Sequence, residues 1–210
     1  PDKRNSEKNM TIYLIILFFF MWGLLLSIKY FGHILDFVAE KSKGRGVQNG
    51  SWKTHLGVGR KSTSQIERAA IAHIGLGAND SDETIYWNAF TDNNGDDLHS
   101  SHNYQIVFTE QPQVKFDEKG FWSITVYGND KFLIPNEDHK YVIHSDKKFE
   151  LDSNNQFSIY LSKTKPEENE FWLPLAENEE NFTLAYRCYK AEDEMKNKAL
   201  TIELPQIIKN

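Results

Sequence analysis

The longest apolar run in the chain, Met10 to Ile28, reads MTIYLIILFFFMWGLLLSI and contains no charged residue. A helix of this length spans the hydrocarbon core of a bilayer. Twelve of the nineteen residues are Leu, Ile or Phe, and together they favour insertion by about 4–7 kcal/mol, more than Thr11, Gly23 and Ser27 oppose. The run therefore predicts one transmembrane helix. The residues that follow, Ser27, Ile28, Lys29 and Tyr30, offer no small-x-small cleavage site, so the helix is expected to be retained rather than removed as a signal peptide. Apolar residues continue at helical spacing through Phe31, Ile34, Leu35 and Val38, extending the expected helix to about residue 40. That stripe either rests on headgroups or on the domain, or makes a self-association seam through Phe31, Leu35 and Val38. Gly44, Gly46, Gly50 and Gly57 then suggest a flexible linker. The organisation read this way is a tail over 1–9, a membrane helix with its amphipathic extension over 10–40, a basic linker over 41–63 and a β domain over 64–210.

Beyond the linker the period changes twice. Ser64-Gln65-Ile66-Glu67 is a capping box that predicts a helix from Gln65 towards Gly75. Asp80 and Glu83 repeat the spacing and predict a second short helix over about 82–90, closed by the turn sequence Asn93-Asn94-Gly95. From Tyr104 onward apolar and polar residues alternate. Residues 104–108, 121–127, 131–134, 141–144, 157–161 and 182–189 are expected as strands. Six strands without helices between them predict a mainly β fold, an antiparallel sandwich or barrel with two short N-terminal helices. Size agrees, because roughly 160 residues remain after the anchor, enough for one core.

Charge is divided along the chain. Residues 1–61 hold ten Lys or Arg against four Asp or Glu, leaving 14 against 26, net −12, for residues 62–210. An acidic body repels phosphate backbones, which argues against nucleic acid as a partner. The basic flank of the apolar run suits anionic lipid headgroups. Positive residues lie on both sides of the helix, Lys3, Arg4 and Lys8 before it and Lys29, Lys41, Lys43 and Arg45 after it, so orientation rests on the short tail and long following domain. These predict a single-pass protein of the cell membrane with its β domain on the periplasmic or extracytoplasmic side. The one cysteine, Cys188, excludes an intrachain disulfide and an all-cysteine zinc site.

A set of motifs resembles a known family. The order Tyr86, Ala89, Asp92, Gly95, Leu98 and Tyr104 is followed by Phe121-Trp122-Ser123-Ile124-Thr125-Val126-Tyr127, Asn136, Trp172-Leu173-Pro174 and Arg187-x-Tyr189. Together with Arg68-Ala69 and Gly75-Leu76 this is similar to the bacterial domain of unknown function 1214, over roughly residues 50–208. The resemblance implies a jelly-roll-like β domain, found alone behind a membrane anchor or paired with a second domain, and implies no activity. Three positions depart from the family's usual pattern. Phe171 stands where Asn usually precedes Trp-Leu-Pro, Asp152-Ser153-Asn154 stands in place of an Asp-Gly turn, and Lys190-Ala191 follows Arg-x-Tyr in place of Pro.

Candidate chemistry is sparse. The segment Asp92-Asn93-Asn94-Gly95-Asp96-Asp97 with His99 and His102 is the densest polar cluster. It matches neither a calcium loop, which needs alternating oxygens and a distal bidentate Glu, nor a zinc site, so a turn capped by its own Asx side chains is expected and no metal or other cofactor is assigned. Arg187 lies in a strand whose apolar face is Phe182, Leu184, Tyr186 and Cys188, so it points the other way, with a carboxylate or backbone carbonyls as the expected partner and a bound anion as the alternative. Trp122, Trp172 and Cys188 are expected in the core, His73 on the packed face of its helix, and Ser123 and Thr125 on a less apolar face that could line a cavity. No nucleophile motif or phosphate-cradling glycine loop is present. The ligand-binding candidates are Arg187, His99, His102 and Asp92. The function read from them is a membrane-anchored binding or structural module or a subunit of a membrane or envelope complex, with a hydrolase or other small-molecule enzyme as the alternative.

Overall fold

The structure, a computed structural model, describes residues 3–43, 46–74, 77–167, 171–178 and 180–210, with the backbone alone at 3–8, 35–36, 38–43, 70 and 73–74. It divides into two compact units, residues 1–44 with 64–77, and residues 45–63 with 78–210.

The first unit is helical. Helix α1 (Lys3–Lys43) runs without a break through the apolar segment. Its stretch Asn9–Ile34 is long and apolar enough to cross a membrane, and at 1.5 Å per residue it is about 39 Å long against a hydrocarbon core of about 30 Å. Side chains such as Phe19 and Phe20 are exposed, as on a lipid-facing helix. Ser27 turns its hydroxyl back onto the carbonyl of Gly23 at 2.8 Å, so its polar group is satisfied within the helix. Phe31 is exposed, whereas the side chains of Leu35 and Val38 lie outside the described residues. Helix α2 (Gln65–Ile74) starts where the capping box places it. The Glu67 N–H donates to Ser64 Oγ at 3.3 Å, and that hydroxyl donates to Glu67 Oε2 at 2.9 Å. The side chain of His73 lies outside the described residues.

The second unit is a mainly β sandwich. Its larger sheet is built from β1 (Val47–Asn49), β2 (Trp52–Thr54), β3 (Thr84–Ala89), β5 (Phe121–Gly128), β6 (Val142–Ser145) and β9 (Phe182–Tyr189), in the order β1-β2-β3-β9-β5-β6, antiparallel throughout. The smaller sheet contains β4 (Tyr104–Phe108), β7 (Phe157–Ser162), β8 (Trp172–Pro174) and β10 (Gln206–Lys209), in the order β10-β4-β7-β8, with β7 and β8 parallel. Alternation sends one face of each strand inward. Trp87, Ile124, Tyr186 and Cys188 from the larger sheet meet Ile106, Phe108, Ile159 and Leu161 from the smaller in one core. Phe108 bridges the layers, its ring 5.5 Å from Trp122 and 5.8 Å from Tyr186. Trp122, Trp172 and Cys188 are all buried, as their strand positions require. A short helix α3 (Asp193–Asn197) buries Met195.

Two sequence expectations are corrected here. Residues 84–89 form strand β3 in place of a second short helix. Asp80 does cap, but as a turn, with its Oδ1 accepting from the Asp82 N–H and its carbonyl from Glu83 and Thr84. The β-branched and aromatic run Thr84-Ile85-Tyr86-Trp87 then pairs between β2 and β9. Residues 131–134 are a turn with one isolated bridge between Tyr127 and Leu133, not a strand. In addition, residues 47–54, expected as flexible linker, form the β1–β2 hairpin, turned at Gly50 with φ 58°. Trp52 is buried there and its indole donates to the Pro205 carbonyl at 2.7 Å. At one departure from the family pattern, Lys190 has φ 50° and its N–H donates to the Glu83 carbonyl at 2.8 Å. Proline could do neither.

Candidate functional site

The outer face of the larger sheet carries the side chains the core rejects. Residues directly paired across strands share a face, so Tyr86, Arg187, Ser123 and His144 form one row across β3, β9, β5 and β6. Thr84, Tyr189 and Phe121 form the row on one side, and Asn88, Ala185, Thr125 and Val142 the row on the other. None of the sheet's six strands contains an Asp or Glu, although the chain has 30; the basic residues in these strands are Lys53, Arg187 and His144. Ser123 and Thr125 are small and buried, 6% and 5% exposed, between larger neighbours. They make a low floor beneath Arg187, on the face expected to be less apolar.

Arg187 is half-buried at the centre of this face. Its Nη1 donates to Thr125 Oγ1 at 3.0 Å and its Nη2 to the Tyr127 hydroxyl at 2.8 Å, with the guanidinium carbon 5.5 Å from the centre of the Tyr127 ring. The expected carboxylate or carbonyl partner is thus replaced by two neutral hydroxyls, and among the described residues no acid pairs with Arg187. The reason is register: the cross-strand neighbours of Arg187 are Tyr86 and Ser123, and the next pair along is Ala185 with Thr125. A guanidinium has five N–H donors, so two are occupied and three, one on each nitrogen, keep their capacity. Beside it the rings of Phe121 and Tyr189 stack with centroids 4.0 Å apart. Burial pushes the Tyr189 phenol above its ordinary value, the positive charge of Arg187 pulls it back, and Tyr86 and Tyr127 push it up again. Three phenols and one guanidinium are therefore close enough to feel one another.

The other candidates lie apart from this face. Asp92 is buried, 2% exposed, and its Oδ1 accepts from the N–H groups of Asn94 at 2.8 Å and Asp96 at 3.1 Å. Gly95 supplies the positive φ of the turn at 89°. Asn93 Oδ1 accepts from the Ile207 N–H at 2.9 Å and ties the loop to β10. His99 Nδ1 lies 2.7 Å from Ser101 Oγ, and His102 is exposed. Among the described residues no three His, Cys, Asp or Glu side chains converge as metal ligands. His99 bridges Asn181 at the start of β9, so Arg187 lies about 17 Å or more further along that strand. The four candidates do not form one site. Alternation along the strand placed Tyr189 on the face of Arg187; those the sequence reading did not connect with it are Tyr86, Tyr127 and Phe121, and the signal for the last two was the two-residue period of Phe121-Trp122-Ser123-Ile124-Thr125-Val126-Tyr127.

Among the described residues, two small clefts are lined by residues of the sandwich. One is bordered by Val126, Ile134, Lys140, Tyr141, Leu173 and Pro174, and the other has Phe108, Tyr186 and Met195 at its base. The larger encloses about 10 Å³, room for a single water. Neither cleft is lined by Arg187.

Fold and face define a class: a two-sheet β sandwich with an apolar N-terminal helix and a solitary arginine on the outside of its larger sheet. The chain belongs to the family described as protein of unknown function (DUF1214), whose family model matches residues 83–193, just over half of the 210 residues. No curated protein matches the chain. Among solved structures it is similar to the VPA0106 protein from Vibrio parahaemolyticus, with a TM-score of 0.55 and 24% identity, over 71% of this chain and 36% of that one. It also matches an uncharacterized protein from Burkholderia cenocepacia at a TM-score of 0.39 and 12% identity, over 84% of this chain and 39% of that one. The chain therefore spans little more than a third of the length of these neighbours, and the Vibrio likeness supports the sandwich fold alone.

Proposed function

We propose that this chain is a membrane-anchored binding module whose β sandwich, held on the extracytoplasmic side by α1, uses the Arg187 face to take up an anionic group. One observation carries the reading: a half-buried guanidinium sits on a sheet without a single acidic strand residue and is met by two hydroxyls and the Tyr127 ring, with no acid paired to it among the described residues. An arginine that serves structure at such a position commonly finds a carboxylate or backbone carbonyls, because a partly desolvated charge gains from them. Thr125 and Tyr127 instead fix the plane of the guanidinium and leave its charge uncompensated. Helix α1 supports the anchor by length and by its exposed apolar surface.

The test is protection of Arg187 from phenylglyoxal in the full chain in non-ionic micelles, mapped by mass spectrometry, in the presence of acetate, benzoate, sulfate or inorganic phosphate. Protection of Arg187 by at least one of them, with Arg60 labelled as before, is the expected result. Labelling unchanged by all four removes the binding face.

A further inference from the structure

Building on that reading of the Arg187 face, we propose that its ligand is a monocarboxylate with an apolar or aromatic body. The geometry of the donors comes first. With one hydrogen of Nη1 committed to Thr125 and one of Nη2 to Tyr127, the remaining hydrogens lie one on each nitrogen. An edge made by Nε–H and a terminal N–H matches the two oxygens of a carboxylate as parallel hydrogen bonds. The two hydroxyls hold the fork in place before the ligand arrives, which lowers the ordering cost of binding.

Charge selects against larger anions. The sandwich unit, residues 45–63 with 78–210, holds 17 Lys or Arg against 25 Asp or Glu, a net charge of −8, so a polyanion approaching the face is repelled by the unit while gaining one guanidinium. One negative charge balances the one unpaired positive charge, and further negative charges meet no partner. His144 and Lys53 lie on the same face, in strands β6 and β2 that do not neighbour β9 in the sheet.

The surroundings select the rest of the ligand. The guanidinium reaches over Thr125 to Tyr127, whose ring centre is 5.5 Å away, and exposed Val142 stands in the row of Thr125, whereas the stacked pair Phe121 and Tyr189 lies on the far side of Ser123. A carboxylate on the guanidinium places its attached body beside the Tyr127 ring and Val142. Such contacts favour a ring or short aliphatic chain over a hydrated sugar or phosphate ester.

Calorimetric titration of the full chain in non-ionic micelles with benzoate, acetate and inorganic phosphate tests this. Benzoate is expected to bind more tightly than acetate, and phosphate at the same ionic strength is expected to give no binding heat. Arg187→Lys, which keeps the charge but loses the fork, is expected to weaken benzoate by about tenfold or more. Tyr127→Phe is expected to weaken it several-fold with the melting temperature nearly unchanged. Phosphate binding as tightly as benzoate overturns the monocarboxylate while leaving an anion-binding face. Acetate equal to benzoate overturns the apolar body. Benzoate heats unchanged in both variants, or absent from the native chain while phenylglyoxal protection by sulfate or phosphate persists, overturn the proposal.

Discussion

The indole N–H of Trp52 donates to the carbonyl of Pro205 at 2.7 Å, joining a hairpin near the start of the sandwich to the strand that ends the chain. The two residues are 153 positions apart. Trp172 is satisfied likewise by the Ser162 carbonyl at 3.0 Å, whereas the indole nitrogens of Trp87 and Trp122 are buried without a protein partner. The four tryptophans thus fall into two energetic kinds. Removing a satisfied donor leaves a buried carbonyl unpaired; removing an unsatisfied one relieves a desolvated group.

Trp52→Phe is accordingly expected to destabilise the full chain more than Trp122→Phe, although each removes the same side-chain volume. The difference should be about 1–3 kcal/mol, the desolvation penalty of the orphaned Pro205 carbonyl. Thermal or denaturant unfolding in micelles measures it. Equal losses in the two variants would show that the Trp52 bond contributes nothing beyond packing.

Asp92 gives a second contrast, between a turn cap and a metal ligand. Its Oδ1 accepts two backbone N–H bonds, so Asp92→Ala is expected to cost about 1–2 kcal/mol, as loss of a helix cap does. Asp92→Asn retains the accepting oxygen and should lose less. Neither calcium nor a chelator is expected to move the melting temperature of the native chain. A rise of several degrees with calcium would convert this loop from a self-capped turn into an ion site.

The strands that alternate strictly were legible from the sequence, among them β4, β5, β7 and β9, because polar-out and apolar-in residues fix the face of every side chain. Strand β3 was misread because Asp80 and Glu83 have capping-box spacing, and an Asx turn uses the same side chain at the same place. The β1–β2 hairpin was missed because its strands are three residues long and set among glycines; only Trp52, an aromatic that has to be buried, contradicts a linker. Arg187 was legible as an outward residue but its partners were not. They come from β5, about 60 residues earlier, and only the register of β9 against β5 decides that Thr125 and Tyr127 receive it.

Cys188 makes a prediction about alkaline pH. Burial pushes its thiol from an ordinary value near 9 up to about 12, with the Tyr186 hydroxyl pulling slightly the other way. The folded value is raised, so the contribution to stability is complete below about pH 9, where the thiol is neutral in both states. It is lost as pH rises from about 9 towards 12, because the unfolded chain releases the proton first. The slope from this group is about 1.4 kcal/mol per pH unit in that window. Cys188→Ala should flatten the curve there, leaving the part due to Tyr186 and Tyr189, whose phenols burial also pushes up. The same burial predicts that a thiol-reactive disulfide reagent labels the native chain only at the rate of unfolding. Rapid labelling at neutral pH would place the thiol outside the core.

The anchor is testable by magnitude. The apolar run of α1 favours insertion by about 4–7 kcal/mol, and an arginine near the centre of a membrane helix costs about 2.5–3.5 kcal/mol. Phe19 and Leu24 both lie within the stretch Asn9–Ile34 and are exposed on the helix surface. Phe19→Arg alone leaves a net preference for the bilayer, and the full chain should stay in the membrane pellet through alkaline carbonate extraction. Adding Leu24→Arg brings the cost to about 5–7 kcal/mol while loss of Phe19 and Leu24 cuts the gain to about 3–6 kcal/mol, and the doubly substituted chain should move largely to the soluble fraction. Extraction of the native chain by carbonate would remove the anchor. Retention of the double variant would mean that the helix is held by another protein rather than by lipid.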